Sequence, residues 1–167
     1  MRAASFGIPF QPVPGLTGSD VPATSGFARI KDPYSDQWLY AVPAIRPDWA
    51  VVHVPAADAR GNARVLGTPF WDRVITRAAR RVIVVAEEIV PSAELARQPE
   101  LTAIPEMFVE AVVHLPGGAR PTSCYPLYGV DEAAVWRYLE LSRTPDGLAC
   151  YLAETAALDH AASGGPA

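Results

Sequence analysis

The sequence predicts an α/β protein built around a parallel strand pair. Two patterns carry that reading. Short β-rich runs that are apolar almost throughout recur at Trp38 to Val42, Ala50 to Val54, Val82 to Ala86 and Phe108 to Leu115, as strands buried on both faces require. Between the second and third runs, Phe70, Val74, Ile75, Ala78 and Ala79 recur at helical spacing. Strand, helix and strand in succession call for a crossover connection, and a crossover joins parallel strands. With 167 residues, half of them apolar, the chain can bury a sizeable core in one domain.

Along the chain, residues 1–36 come first. Pro9, Pro12, Pro14, Pro22 and Pro33 stand among Gly7, Gly15, Gly18 and Gly26, and each proline fixes φ and removes a backbone donor. The segment is expected to be ordered loop, and its apolar opening from Phe6 to Phe10 is expected to need something to pack on. Strands follow at Trp38 and Ala50. Thr68 then supplies a helix cap and Pro69 the first helical position, and Arg80 and Arg81 close the helix before the strand at Val82. Pro91, Pro99 and Pro105 punctuate a linker to the last strand, which ends at Pro116-Gly117-Gly118. Two helices finish the fold, one carrying Val135, Trp136, Tyr138 and Leu139, the other capped at Thr144-Pro145 and carrying Leu148, Tyr151 and Leu152. One domain is expected over residues 1–160, with a disordered tail over 161–167.

A formal charge of −4, with Lys and Arg scattered, leaves no basic footprint, which argues against nucleic acid or an anionic membrane as partner. The apolar runs are far shorter than the ~20 residues of a membrane-spanning helix. The first residues lack the basic-then-apolar pattern of a secretory signal. Cys124 and Cys150 stand apart without CxxC spacing, which fits free thiols in a reducing compartment. A cytoplasmic protein with no resident metal or cofactor is the expectation.

The chain holds no GxSxG elbow, Walker loop, GxGxxG or HExxH. What it offers are polar clusters at the ends of the predicted strands, where open α/β sheets place their ligand crevices. Gly18, Ser19 and Asp20 allow close backbone approach to a ligand, or form a Ser or Asx turn. His53, with Asp58, Gly61 and Asn62 beyond it, could serve acid–base chemistry or be a hydrogen-bonded core histidine beside a tight turn. Glu87 and Glu88 leave the strand at Val82 to Ala86, where a carboxylate can act as a nucleophile, bond a neighbouring loop or line a subunit interface. Gly117 and Gly118, with Arg120 after them, can present N–H groups to an anion or form a plain glycine turn.

Taken in order, Gly18-Ser19-Asp20, Val42-Pro43-Ala44-Ile45-Arg46-Pro47-Asp48, His53 through Asp58 to Gly61-Asn62, Val84 to Val90 with Glu87-Glu88, and Pro116-Gly117-Gly118-Ala119 then Pro121-Thr122 resemble the A subunit of family I CoA-transferases. The glutaconate CoA-transferase type and the steroid-ring-opening CoA hydrolases look most similar, over about residues 3–145. The resemblance implies a three-layer α/β fold with a mainly parallel sheet, flanking helices and an active site shared with a B-type subunit. It implies CoA transfer between an acyl-CoA and a free carboxylic acid, through an acyl–enzyme anhydride and an enzyme–CoA thioester on a glutamate of the B-type subunit. This chain would then supply walls and no catalytic residue, with coenzyme A thioester as substrate. Its pocket or interface residues would be Gly18, Ser19, Asp20, His53, Asp58, Gly61, Asn62, Glu87, Glu88, Gly117 and Gly118.

Two departures accompany the resemblance. Family A subunits open with a β/α region and a Gly-rich loop that this sequence enters after, so either the reading frame is truncated or a separate N-terminal A-subunit fragment is a partner. In the loop at 116–122 the family often has His where Arg120 stands, and the segment between His53 and Asp58 lacks the usual polar character. The runner-up function is a CoA-dependent hydrolase subunit opening a cyclic keto acyl-CoA. A non-catalytic scaffold fragment is the third.

Overall fold

The computed structural model describes residues 1–16 and 18–163, the side chains of 157–163 excepted. The chain divides into two compact units, Met1–Gly118 and Ala119–Ala167, where the sequence reading drew a single domain over 1–160. The first unit holds α1 (Arg2–Ser5), β1 (Phe10–Val13), α2 (Val21–Thr24), β2 (Ala28–Lys31), β3 (Trp38–Pro43), β4 (Trp49–Ala57), β5 (Ala63–Arg64), α3 (Asp72–Ala78), β6 (Arg81–Ile89), α4 (Ser92–Ala96), β7 (Thr102–Ile104) and β8 (Ala111–His114). The second holds α5 (Glu132–Leu141) and α6 (Pro145–Ser163).

The larger sheet has the order β7-β5-β4-β6-β8. Its β4, β6 and β8 are parallel, with Val51 beside Ile83 and Ile83 beside Ala111, while β5 and β7 join antiparallel. The strand–helix–strand crossover is therefore present, in a mixed sheet with flanking helices. Its core lies on one face. Val54, Val82, Val84 and Ile104 are fully buried there, and Ile75 and Ala79 of the α3 segment pack against them. Each such valine contributes about 1.5–3 kcal/mol by leaving water.

Helix α3 begins at Asp72, four residues past the Thr68 cap that the sequence suggested. The Trp71 carbonyl accepts from Val74 and Ile75, and Asp72 places its charge in the first turn, where the helix dipole favours it. At the other end Ala79 turns extended, and Arg80 and Arg81 donate to the carbonyls of Pro47 and Asp48. Those bonds carry the chain from helix into β6 beside the start of β4. Phe108 and Val109, read as strand, instead close a 3-10 turn over Glu106–Phe108, and β8 starts at Ala111.

Residues 1–36 are corrected from loop to structure. An antiparallel sheet of order β1-β3-β2 pairs Pro12 with Ala41 and Ile30 with Leu39. Pro12 is tolerated because β1 is an edge strand, where a missing donor costs no ladder bond. Asp32 closes the β2–β3 turn by accepting from Tyr34 N–H and Ser35 Oγ. In the same region, Phe6 is three-quarters exposed.

In the second unit both helices have side-chain caps. Asp131 accepts from Ala134 N–H at 3.0 Å, and Thr144 Oγ1 from Gly147 N–H at 3.1 Å, with Pro145 at the first helical position as read from sequence. Tyr138 and Tyr151 meet edge to face at 5.2 Å, and Arg137 pairs with Glu154 at 2.7 Å. The backbone of α6 runs to Ser163, into the segment that composition assigned to a tail, and 164–167 lie outside the described residues. Among the described residues no helix is long and apolar enough to cross a membrane.

Gly61 sits at the turn between β4 and β5 with φ +105°, and a Cβ there would lie 2.7 Å from Val109 Cβ. Both backbone conformation and space exclude a side chain. Gly61→Ala is expected to destabilise the fold by about 1–3 kcal/mol in chemical denaturation. Gly129→Ala, whose Cβ meets nothing within 4 Å, should leave the midpoint nearly unchanged.

Candidate functional site

The three parallel strands end together, and Glu87 lies at that end. Its side chain is 5% exposed. Oε2 accepts the Gly117 N–H at 2.5 Å, and Oε1 lies 2.9 Å from His53 Nε2, close but without the alignment of a directed hydrogen bond. The strand register explains the meeting. His53 pairs with Val85 and Ala86 with His114, so the chain leaving β8 passes directly beside Glu87. Leu115 N–H still bonds Ala86 carbonyl, Gly118 N–H returns to Leu115 carbonyl, and Gly117 at φ +75° turns its own N–H onto the carboxylate. His114 Nε2 lies 3.1 Å from the Glu87 carbonyl, a contact that requires the Nε2–H tautomer. Glu88, the next residue, is exposed.

This arrangement holds a buried carboxylate between a backbone donor and an imidazole. Such a group can orient a histidine and carry charge at a strand end. It is poorly placed for nucleophilic attack, because both oxygens already face partners.

Asp58, Gly61 and Asn62 form a second cluster, at the β4–β5 turn. Asp58 is 1% exposed and accepts from Arg60 N–H at 3.0 Å, Asn62 N–H at 2.9 Å and Asn62 Nδ2 at 3.0 Å. Asn62 also gives Nδ2 to Glu106 Oε2 and takes the Glu106 N–H, and Arg60 reaches Glu106 Oε1 at 2.6 Å. The cluster ties the turn to the segment before β8. Asp58 and Asn62 line a cleft of about 350 Å³ together with Ser92, Leu95 and Thr102.

Gly18, Ser19 and Asp20 form the third cluster, an exposed turn into α2. Ser19 Oγ accepts the Val21 N–H at 3.2 Å, and Asp20 carbonyl accepts from Thr24. These bonds are local.

The structure thus brings His53, Glu87 and Gly117 together, with Gly118 completing the turn. Gly118 is tightly placed, since a Cβ there would stand 3.0 Å from the Leu115 carbonyl oxygen. Asp58, Gly61 and Asn62 meet one another instead of His53. Arg120, read as reinforcing an anion site, lies over the Tyr128 ring at 4.6 Å in the second unit. Sequence reasoning passed over His114, Glu106 and Ser92. His114 had a signal, since it closes an apolar run three residues before Gly117. Glu106 and Ser92 had none, because their partners are distant in the chain.

Burial raises the pKa of Asp58, but hydrogen bonds from Asn62, Ser92 and the Arg60 N–H outweigh it and hold the carboxyl below its ordinary value of 3.8. A group depressed on folding adds stability that is present above its unfolded pKa, about 3.9, and lost as pH falls through the folded one. Wild type is therefore expected to exceed Asp58→Asn in denaturation midpoint at neutral pH, with the difference flat down to about pH 5 and shrinking below about pH 4.

Three comparisons bear on this architecture. The family described as Coenzyme A transferase matches residues 1–115. The A-type subunit of glutaconate CoA-transferase from Acidaminococcus fermentans is 32% identical over 92% of this chain and 53% of its own length. The cholesterol ring-cleaving hydrolase IpdA subunit of Mycobacterium tuberculosis is 34% identical over 88% of this chain and 54% of its own. The crystal structure of the Acidaminococcus fermentans glutaconate CoA-transferase superposes with a TM-score of 0.84 at 34% identity, covering 92% of this chain and 54% of that one. That of a cysteine-to-serine variant of the decarboxylase AibA/AibB superposes at 0.82 and 36%, covering 93% and 56%. The chain spans about half the length of these curated relatives. A matched family over most of the first unit, and A-type relatives above 30% identity across nearly the whole sequence, place this chain in the coenzyme A transferase family.

Proposed function

We propose that this chain is an A-type component of a hetero-oligomeric CoA-transferase, moving CoA between an acyl-CoA and a free carboxylic acid. A glutamate of a B-type partner attacks the thioester carbonyl, expels CoA thiolate and forms an anhydride. The thiolate then attacks the glutamyl carbonyl of the anhydride, releasing the donor acid and leaving an enzyme–CoA thioester. The acceptor carboxylate expels CoA thiolate from that thioester to form a second anhydride, and attack of the thiolate on its acceptor acyl carbonyl yields the new acyl-CoA and frees the glutamate. This chain lines the site with His53, Glu87, Gly117 and Gly118. Asp58, Gly61 and Asn62 brace the adjoining turn, and Gly18 to Asp20 and Glu88 face outward, where a partner can meet them.

The observation that carries the reading is the seating of Glu87. A nucleophile needs an oxygen free to reach the thioester. Glu87 is buried, with Gly117 N–H and His53 at its two oxygens, which argues against Glu87 as the nucleophile and supports a covalent glutamate elsewhere. The A-subunit designation of the glutaconate relative supports a B-type partner. A cytoplasmic setting is part of this reading, since Cys124 and Cys150 stand apart in the sequence without CxxC spacing.

The 34% identity to a ring-cleaving hydrolase subunit favours a second reading, hydrolysis of a cyclic keto acyl-CoA. One experiment separates them. The complex co-expressed with its B-type partner is incubated with acyl-CoA, trapped with hydroxylamine or borohydride, and mapped. Modification of a partner glutamate is the expected outcome. A modified Glu87 overturns the assignment, turnover to free acid with no trapped glutamate establishes the hydrolase, and no turnover with no partner bound leaves a scaffold fragment.

A further inference from the structure

Glu87 is held at three points, and each fixes a different part of it. His114 Nε2 lies 3.1 Å from its carbonyl and pins the backbone, Gly117 N–H meets Oε2 at 2.5 Å, and Oε1 lies 2.9 Å from His53 Nε2. A carboxylate only accepts hydrogen bonds, so Oε1 calls for a proton on His53 Nε2. A neutral imidazole protonated there keeps its lone pair on Nδ1. His53 Nε2 is shut off from water while 22% of the side chain is exposed, so what solvent reaches is the rest of that side chain.

The transfer reaction has no use for such a lone pair. A glutamate carboxylate and a CoA thiolate are nucleophiles as they stand, and the anhydride steps move no proton. Water differs, because its attack on a thioester is helped by a base that takes its proton. A carboxylate that sets the tautomer of a histidine, whose other nitrogen takes a proton, is how hydrolases activate an oxygen nucleophile. We infer that His53 is a general base that delivers water to a CoA thioester, with Glu87 as its positioning residue. The chain then gives its assembly a hydrolytic activity separate from the partner's glutamate.

The step balances within this pair. Water oxygen bonds to the thioester carbonyl carbon while Nδ1 takes one proton, and the carbonyl electrons move onto oxygen. They return as the C–S bond breaks, and the imidazolium gives its proton to the departing sulfur. The products are a free carboxylic acid and CoA thiol, with His53 back in its starting tautomer. This deepens the reading of the chain as a component acting on CoA thioesters and rests on it, and it gives His53 and Glu87 a task beyond lining the site.

One test needs no partner. In the full 167-residue chain, nitrogen-15 NMR of the histidine rings at about pH 8, above the ordinary imidazole range, reports which nitrogen carries the proton. The His53 signal is the one lost in His53→Gln, and the Nε2–H tautomer is expected. In Glu87→Gln, Gly117 N–H retains the amide oxygen, so the amide nitrogen donates to Nε2 and the ring is expected to switch to Nδ1–H. A wild-type ring protonated on Nδ1 or on both nitrogens overturns the inference, as does a tautomer indifferent to Glu87→Gln.

The other test uses the complex with the B-type partner, given acetyl-, butyryl- or glutaryl-CoA with and without acetate or succinate as acceptor. Wild type is expected to release free CoA from at least one thioester without acceptor. His53→Gln should lower kcat for hydrolysis about a hundredfold, and Glu87→Gln about tenfold or more, with the loss in kcat and little in KM. Hydrolysis should fall at least tenfold further than transfer, and added imidazole should restore part of the rate to His53→Ala. Equal loss of both reactions, or no rescue, marks a structural role and overturns the inference. Transfer without hydrolysis in wild type overturns it too and leaves the proposed function standing, whereas a complex inert in both reactions removes both.

Discussion

The parallel pairing of β4 with β6 runs from Trp49 beside Arg81 to Ala57 beside Ile89, and β8 adds to it from Ala111 to His114. Everything chemical in the first unit depends on that register. Parallel strands deliver their C-terminal ends to one place, and so His53, Glu87, His114 and Gly117 converge although up to 64 positions separate them in the chain. The side-chain period along a strand is two, so a slip of β6 by one residue would turn Val82 and Val84 out of the core and carry Glu87 to the opposite side. Burial of those valines therefore enforces the site geometry, and the core and the site are specified by one constraint.

Among the described residues, the buried carboxylates Asp58 and Glu87 show two uses of the same chemical group. Asp58 accepts hydrogen bonds almost entirely from its own turn, and the result is a depressed pKa and a fixed β4–β5 connection. Glu87 accepts from Gly117, which is distant in sequence, and faces a histidine on a neighbouring strand. Removing an ionised group from water costs several kcal/mol unless partners replace the water. At Asp58 the replacement is local and stabilises a turn. At Glu87 it links three strand ends, which is a positioning arrangement more than a local stabilising one.

Much of the first unit was legible because burial on both sides of a parallel strand writes itself as a continuous apolar run. Ala50 to Val54 and Val82 to Ala86 carry that signature, and the helix between them carries its own period. The β1-β3-β2 sheet was not legible, because prolines such as Pro12 signal loops unless the strand is known to be an edge, and edge status is a tertiary fact. The Thr68-Pro69 pair had the chemistry of a helix start, yet the helix begins where Trp71 and Asp72 serve. At the site, residue types were readable and partners were not. Glu87 and Gly117 stood out as strand-end residues, but the contact between them needs the β6–β8 register, which no local pattern encodes.

That register also explains why exposed apolar residues and the site share one side of the sheet. Val51 is 64% exposed and Val113 43%, and His53 follows Val51 by two residues, so the alternation that exposes Val51 brings His53 to the same side, where Glu87 meets it. Glu87 is buried there with Gly117 N–H and His53 in place of water, so a change in the register of β4 or β6 would disturb the apolar side and the carboxylate together.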